Sequence, residues 1–324
     1  MVEAIRQHNL SKDDLDEWLR FRKGASEILV TAACTKYVED HVKRQDYSRS
    51  HYNDIIHTLN LLNKKIGSNQ LALVRVEQLE RLLSDTKLSA KRQNNMRGVL
   101  SGFWRWSTHR GHCEKNIVAA IPPIKIKKKA GGYEVLSPGE FALLLNSCPE
   151  HFIPWLTISG FAGLRQSEIV GRTGDRESAL RWEDFYFDRE SPVIVLRSET
   201  TKTNLPRIVP LCDTLMEWLE PWKNKTGLVH PHIRPSGGRN PVTQELGELI
   251  GGWRDNCLRA SAASYRLAKT QSLSIISMEM GHTEKMLKNN YLNPRFEEDA
   301  ELWFSLTPAK MKEFLQSKKI TKIG

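Results

Sequence analysis

Two arginines, a lysine, a histidine and a tyrosine stand in four short stretches of this 324-residue chain whose residue types suit chemistry at an anionic centre. In order they are Gly163-Leu-Arg165-Gln-Ser-Glu168, Thr201-Lys202-Thr203, Asn256-Cys-Leu-Arg259, and Gly281-His282 with Tyr291 nine residues further on. A guanidinium is a planar fork of donors that never loses its proton and fits an oxyanion. A phenol oxygen can serve as a nucleophile that forms an ester and later gives it up. Singly, each stretch has an ordinary explanation: a lone Arg after an apolar helix is a surface cation, a Lys at a hairpin tip is solvated, and a Tyr before Leu-Asn-Pro packs a helix end.

The elements that must hold these residues can be read from periodicity. Apolar residues at steps of three and four predict helices over Thr31–Val42, Tyr52–Ile66 and Val76–Leu83, and from Ser89 to a stop at Gly111. The early face of the last helix carries Lys91, Arg92, Gln93, Asn94, Asn95 and Arg97, groups that suit phosphates and base edges. The run Ile121 to Ala130, IPPIKIKKKA, followed by Gly131-Gly132, is an extended basic connector whose Lys125, Lys127, Lys128 and Lys129 could lie along a phosphate backbone. Beyond it, Ser137 and Glu140 form a capping box. An apolar helix runs Phe152 to Ala162 and stops at Gly163. The β-rich runs Pro192–Arg197 and Arg207–Leu211 flank a polar hairpin tip, Ser198–Pro206, and the rest is again helical. The expected divisions are an extension at 1–27, a helical first domain at 28–120, a basic linker at 121–133, a second domain at 134–306 and a tail at 307–324. The fold class is mainly α with a small antiparallel β-sheet.

Charge separates the halves. Residues 1–130 hold 24 Lys and Arg against 14 Asp and Glu, while the remainder is balanced at 24 against 24. A basic part beside a neutral one points to a polyanion, double-stranded DNA first and an anionic membrane surface second. Five scattered cysteines without a CxxC pair give no zinc or disulfide framework. His230-Pro-His232 reads as a turn, so no metal is expected. No Walker loop or dinucleotide fingerprint is present, so neither nucleotide nor other cofactor is expected. The longest apolar stretch, Phe152–Leu164, falls short of the ~18–20 residues of a bilayer crossing. The N-terminus lacks a secretory pattern, and the chain reads as cytoplasmic.

Together and in this order, the four stretches resemble the tyrosine recombinase family, also called the phage integrase or Xer-like family, from about Ile28 to about Leu306. Phe161 to Ile169 matches the family's first arginine motif, Thr201-Lys202-Thr203 before Arg207 to Leu211 its hairpin lysine motif, Leu258-Arg259 with Ser264 to Ala268 its second arginine motif, and Met280-Gly-His282 with Tyr291 its last two positions. The resemblance implies that Arg165 and Arg259 clamp a phosphate and that Lys202 protonates the leaving oxygen. It implies also that His282 positions the phosphate, that Tyr291 attacks it, and that Glu168 gives structural support. It implies a two-domain enzyme that breaks and rejoins DNA through a 3′-phosphotyrosyl ester, without metal or ATP, in a tetrameric synapse. The segment Ala300–Phe304 would then dock in part on a neighbouring protomer, a self-packed segment being the alternative. DNA integration or excision for a mobile element is the biological setting expected.

Nine residues at 100° each put His282 and Tyr291 on opposite faces of an unbroken helix, so the backbone must turn between them, and Thr283-Glu284 can supply that turn. The chain also departs from the family pattern. Asn256 stands where His is usual, and Asn accepts no proton at ordinary pH. Ala260 follows Arg259 where His is common, Asn116-Ile117 replaces Asn-Pro, and about eight extra residues, Gly171–Ser178, should form a surface loop. The departure at Asn256 keeps open a DNA-binding protein that has lost efficient cleavage, and a type IB topoisomerase-like relaxing activity is a third alternative. Tyr265, six residues after Arg259, reads as core.

Overall fold

The protein is described by a computed structural model over residues 27–45, 47–84, 87–126, 133–172, 175–201, 205–230, 241–290 and 293–317. It divides into two compact units, one ending at Lys127 and the other starting at Lys128.

In the first unit, helices α1 (Val30–Asp40), α2 (Arg49–Ile66), α3 (Val76–Ser84) and α4 (Ala90–His109) surround one core. Hydroxyl caps start two of them: the His51 backbone N–H donates to Ser48 Oγ and that of Arg92 to Ser89 Oγ. The core fills with Tyr37, Leu59, Leu62, Met96, Leu100, Phe103 and Trp104. Tyr37 and Phe103 meet edge to face at 5.4 Å, the geometry their ring quadrupoles favour.

The second unit opens on α5 (Pro138–Ser147), where the reciprocal capping box of Ser137 and Glu140 forms. Helix α6 (Ile153–Thr157) follows, and here the chain differs from the single apolar helix expected. Residues Ile158–Ala162 wind as a π turn that ends at Gly163 with φ +66°. Tertiary packing sets the wider winding. The Phe141 ring lies against Gly160, where a Cβ would come within 2.2 Å of Phe141 Cζ, and the Trp303 indole N–H donates to the Gly160 carbonyl at 3.2 Å.

Helix α7 (Gln166–Val170) leads to an antiparallel sheet of β1 (Phe185–Tyr186), β2 (Val193–Leu196) and β3 (Arg207–Pro210) in the order β1-β2-β3. The register pairs Ile194 with Val209 and Leu196 with Arg207. Ile194, Leu196 and Val209 face the core, and Ile208 faces out. Helices α8 (Asp213–Leu219), α9 (Pro241–Glu248), α10 (Cys257–Thr270), α11 (Leu273–Met280), α12 (Glu284–Asn290), α13 (Glu297–Phe304) and α14 (Pro308–Ser317) complete the unit. The mainly α architecture with a small antiparallel sheet is the one expected. Among the described residues, no helix is long and apolar enough to cross a membrane.

Within Ala300–Phe304, Ala300 and Trp303 follow the self-packed alternative: both are fully buried in this chain's own core, with Trp303 stacked on Phe141 at 4.2 Å and on Tyr265 at 4.6 Å, while Leu302 is exposed. In the C-terminal tail, α14 packs Met311, Phe314 and Leu315 against the same core. In both cases the apolar pattern is satisfied within the unit. Tyr265 is core, as read from the sequence. Its hydroxyl donates to the Leu136 carbonyl at 2.8 Å, and burial raises its pKa, which unsuits it as a nucleophile.

Candidate active site

The π turn and left-handed Gly163 end the run from α6 and deliver Arg165 to the start of α7. Glu168, one turn later and fully buried, gathers four hydrogen bonds. Its Oε1 accepts from Arg165 Nη1 at 2.7 Å and Arg207 Nη1 at 3.0 Å, and its Oε2 from Arg207 Nη2 and the Arg165 backbone N–H, both at 2.8 Å. Burial alone would raise this carboxyl. The hydrogen bonds and charge of Arg207, then the charges of Arg259 and Arg165, outweigh it and hold the pKa below the ordinary carboxylate value.

The second arginine arrives from α10. Asn256, before the helix, adopts φ +53°, a left-handed conformation that Asn tolerates better than most residues, and its side chain makes no capping bond. From this start α10 turns Arg259 inward, where its side chain is 3% exposed. One arm, Nη1, donates to the Gly163 carbonyl, and the other, Nη2, donates to the Met280 carbonyl at 2.5 Å and lies 3.1 Å from His282 Nε2.

Both arginines therefore meet at the turn between α11 and α12. Arg165 Nη2 donates to the Gly281 carbonyl at 3.0 Å, one residue from the carbonyl that Arg259 uses. Gly281 has φ +59°, and a Cβ there would press on Arg207 Nη1 at 3.2 Å. A side chain would thus be strained by the backbone and crowded by the arginine. Burial first, then the positive charges of Arg259, Arg165 and Arg207, push the His282 imidazole down to about 3, so it is neutral at pH 7. The break in the helix between His282 and position 291 is present, since α11 ends at Met280 and α12 starts at Glu284. Arg165, Arg207, Gly281, His282 and Thr283 line one open groove together with Tyr133 and the apolar Ile208, Ile275, Met278 and Met286.

Four of the sequence-expected groups, Arg165, Glu168, Arg259 and His282, are thus assembled at one place. Asn256 lies exposed at the head of α10. Lys202 and Tyr291 lie outside the described residues, as do Lys127, Lys128 and Lys129. The chain after Tyr291 is tied to α10, with the Asn293 backbone N–H donating to Ser264 Oγ at 3.2 Å. In the first unit, Lys91, Asn95 and Lys125 are exposed. Arg92 is ion-paired with Asp54, and Asn94 holds the connector through two bonds to Ile124, at 2.9 and 2.8 Å.

The architecture matches solved DNA recombination proteins. A lambda integrase dimer bound to a COC′ core site gives a TM-score of 0.63 at 14% identity, over 93% of this chain and 84% of that one. A lambda integrase tetramer bound to a Holliday junction gives 0.62 at 14% identity, over 82% and 78%. The Tn1549 transposon integrase in complex with a circular intermediate DNA gives 0.58 at 16% identity, over 87% and 99%. The chain has the tyrosine recombinase fold. No protein-family model matches it and no curated protein matches its sequence.

Within this tyrosine recombinase fold, sequence reasoning missed Arg207. It reads as the first residue of a β-rich run, yet its guanidinium takes both oxygens of Glu168, and its Nε donates to the Glu279 carbonyl at 2.8 Å. An Arg heading a strand directly after the polar tip was the available signal. In the extra stretch Asp175, Arg176 and Glu177 are exposed, as expected of a surface loop, and its last residue is anchored. Ser178 is fully buried, and the Arg172 backbone N–H donates to its Oγ at 2.9 Å.

Proposed function

We propose that this protein is a site-specific DNA recombinase or integrase that cuts and rejoins strands through a 3′-phosphotyrosyl ester on Tyr291. The observation that carries this reading is the meeting of Arg165 and Arg259, 94 positions apart in the sequence, on the carbonyls of Gly281 and Met280. Fixed in this way, the two guanidinium groups can turn to the two non-bridging oxygens of a phosphodiester. Stabilising the charge that grows there in the pentacoordinate transition state is the largest single contribution expected in such a site.

The Tyr291 oxygen attacks phosphorus, a new O–P bond forms, and the bond to the 5′ oxygen breaks. The Lys202 ammonium gives its proton to that departing oxygen. The phenol proton passes to water, because an imidazole held near 3 is too weak a base to take it and Asn256 accepts none. His282 serves instead as a neutral hydrogen-bonding group beside the phosphate. The bond energy stays in the ester, so the reverse attack by a 5′ hydroxyl reseals the strand without ATP or metal. Glu168 and Arg207 are positioning residues that fix the first arginine. Residues 28–120 act as the DNA-binding domain, with Lys91, Asn95 and Lys125 on phosphates, joined by the basic linker at 121–133 to the catalytic domain. Protomers assemble as a tetramer on paired sites, in the service of a mobile element.

The test is a nicked suicide duplex followed by a denaturing gel. A covalent protein–DNA adduct is expected from the parent and none from Tyr291→Phe. An adduct that persists in Tyr291→Phe, or tight DNA binding without any adduct, overturns the reading. The second outcome is that of a binder that has lost cleavage, which the exposed, non-basic Asn256 favours. Asn256→His would separate the two, since restored adduct formation would place the defect at that position.

A further inference from the structure

Helix α10 grips the last turn of α11 with two arginines, of which the phosphate site uses only the first. Arg259 and Arg266 stand seven residues apart, within ~20° of one line along the helix. Their partners are adjacent residues. Arg259 Nη2 donates to the Met280 carbonyl at 2.5 Å. Arg266 holds the Glu279 carboxylate in bidentate fashion, Nε donating to Oε2 at 3.1 Å and Nη2 to Oε1 at 2.9 Å. The Glu279 carbonyl in turn accepts from Arg207 Nε at 2.8 Å, and the Gly281 carbonyl from Arg165 Nη2 at 3.0 Å. Three successive carbonyls, those of residues 279, 280 and 281, thus each receive a guanidinium of the site.

Glu279 is an acid at the negative end of a helix, a placement that the backbone dipole disfavours. Local rules are broken in this way where a functional site requires it. The pair is also sheltered. The side chains of Arg266 and Glu279 are 27% and 16% exposed, and they border one small cavity with Phe161, Ala162, Val209 and Met280, beside the turn whose Gly163 carbonyl holds the other arm of Arg259. We propose that Arg266 and Glu279 are positioning residues for Arg259: their ion pair locks the last turn of α11 to α10, so that the Met280 carbonyl stands where Arg259 Nη2 needs it. The proposal rests on the phosphate-clamping role of Arg259 given above. A bidentate pair fixes direction as well as distance, and a misplacement of about 1 Å at a reacting centre can remove ~10²-fold in rate. A guanidinium is held only as well as the carbonyl it is bonded to, and the ion pair fixes that carbonyl from the same helix.

The experiment measures single-turnover cleavage of the nicked suicide duplex, at saturating DNA, by the full chain and by Arg266→Ala, Arg266→Lys, Glu279→Gln, Arg259→Lys and Glu279→Gln combined with Arg259→Lys. DNA-binding anisotropy and melting temperature are recorded for each, and rates are taken well below the lowest melting temperature. Arg266→Ala and Glu279→Gln should each slow cleavage about tenfold or more, with DNA affinity within about twofold of the parent's. Arg266→Lys, which keeps the charge, should recover part of the rate. Residues that act as a unit lose rate non-additively, so in the Arg259→Lys background Glu279→Gln should cost less than about threefold. A pair that only stabilises the fold would lower the melting temperature and leave the rate near the parent's, and that result overturns the proposal. So does a loss that falls on DNA affinity in place of rate, or a loss of about threefold or more in the Arg259→Lys background. If Arg266→Ala does not fold, Glu279→Gln and its double variant decide. A parent that forms no adduct overturns the functional reading and the proposal with it, whereas a cleaving parent beside variants of parental rate overturns the proposal alone.

Discussion

The arginines of the second unit and the cations of the first unit do opposite things with charge. Around Gly281, three guanidinium groups are drawn inward and held by named acceptors: Glu168, and the carbonyls of Gly163, Glu279, Met280 and Gly281. On α4 and the connector, Lys91 and Lys125 remain exposed, while the neighbouring Arg92 and Asn94 are occupied with Asp54 and Ile124. Gripping a polyanion needs charge near a surface, and many placements serve. Stabilising one phosphorus centre needs donors that are already fixed when charge develops, which requires buried acceptors at fixed positions.

Removing the shared acceptor tests that difference most severely. Glu168→Ala leaves Arg207 buried without its counter-charge, and losing one partner of a buried pair costs about 3–5 kcal/mol. Urea unfolding should show a loss of that size, and an unchanged midpoint would mean that the arginines do not depend on the carboxylate. Gly281→Ala should be milder. A left-handed alanine costs about 1–2 kcal/mol, and its Cβ must also move Arg207; cleavage should fall along with the melting temperature.

The next test uses pH. The His282 imidazole stands at about 3 in the folded protein, against about 6.5 in an unfolded chain. As acid is added the unfolded state takes up the proton first, so this stabilising contribution is whole above about pH 6.5 and drains away toward pH 3. Between pH 7 and pH 5 the parent should lose more melting temperature than His282→Asn. Parallel curves would show an imidazole that titrates in the folded protein as it does in the unfolded chain. The smallest change in stability belongs to the surface: Lys91→Ala and Lys125→Ala should shift folding by less than about 0.5 kcal/mol. Each should nevertheless lower the slope of log affinity against log salt by about 0.9 if it contacts a phosphate.

How much of this was legible follows the same division. Arg165, Glu168, Arg259 and His282 could be found because each sits beside a local conformational marker: Gly163 at φ +66°, a helix start, or Gly281 at φ +59°. The helices of the first unit could be found from period and from serine caps. The π turn could not, because its winding is set by Phe141 and Trp303, 17 or more residues away, and not by its own residues. Arg207 escaped because its partner Glu168 is 39 residues distant. For Ala300–Phe304 the sequence left two alternatives open, because an apolar stripe carries no label saying whose core it enters; the contacts of Trp303 to Phe141 and Gly160 place that side chain in its own.

Those contacts also bear on how the protein is made. The indole of Trp303 reaches back 143 positions to Gly160, Trp218 Nε1 donates across 88 positions to the Leu306 carbonyl, and Thr214 Oγ1 donates to the Phe304 carbonyl. Contacts so distant along the chain close late, since the entropy of looping must be met before they form. On a ribosome, the unit that carries Arg165 stays open until residue 306 has emerged from the exit tunnel. A product truncated before Trp303 would therefore lack the indole that holds the Gly160 carbonyl, next to the turn that delivers Arg165.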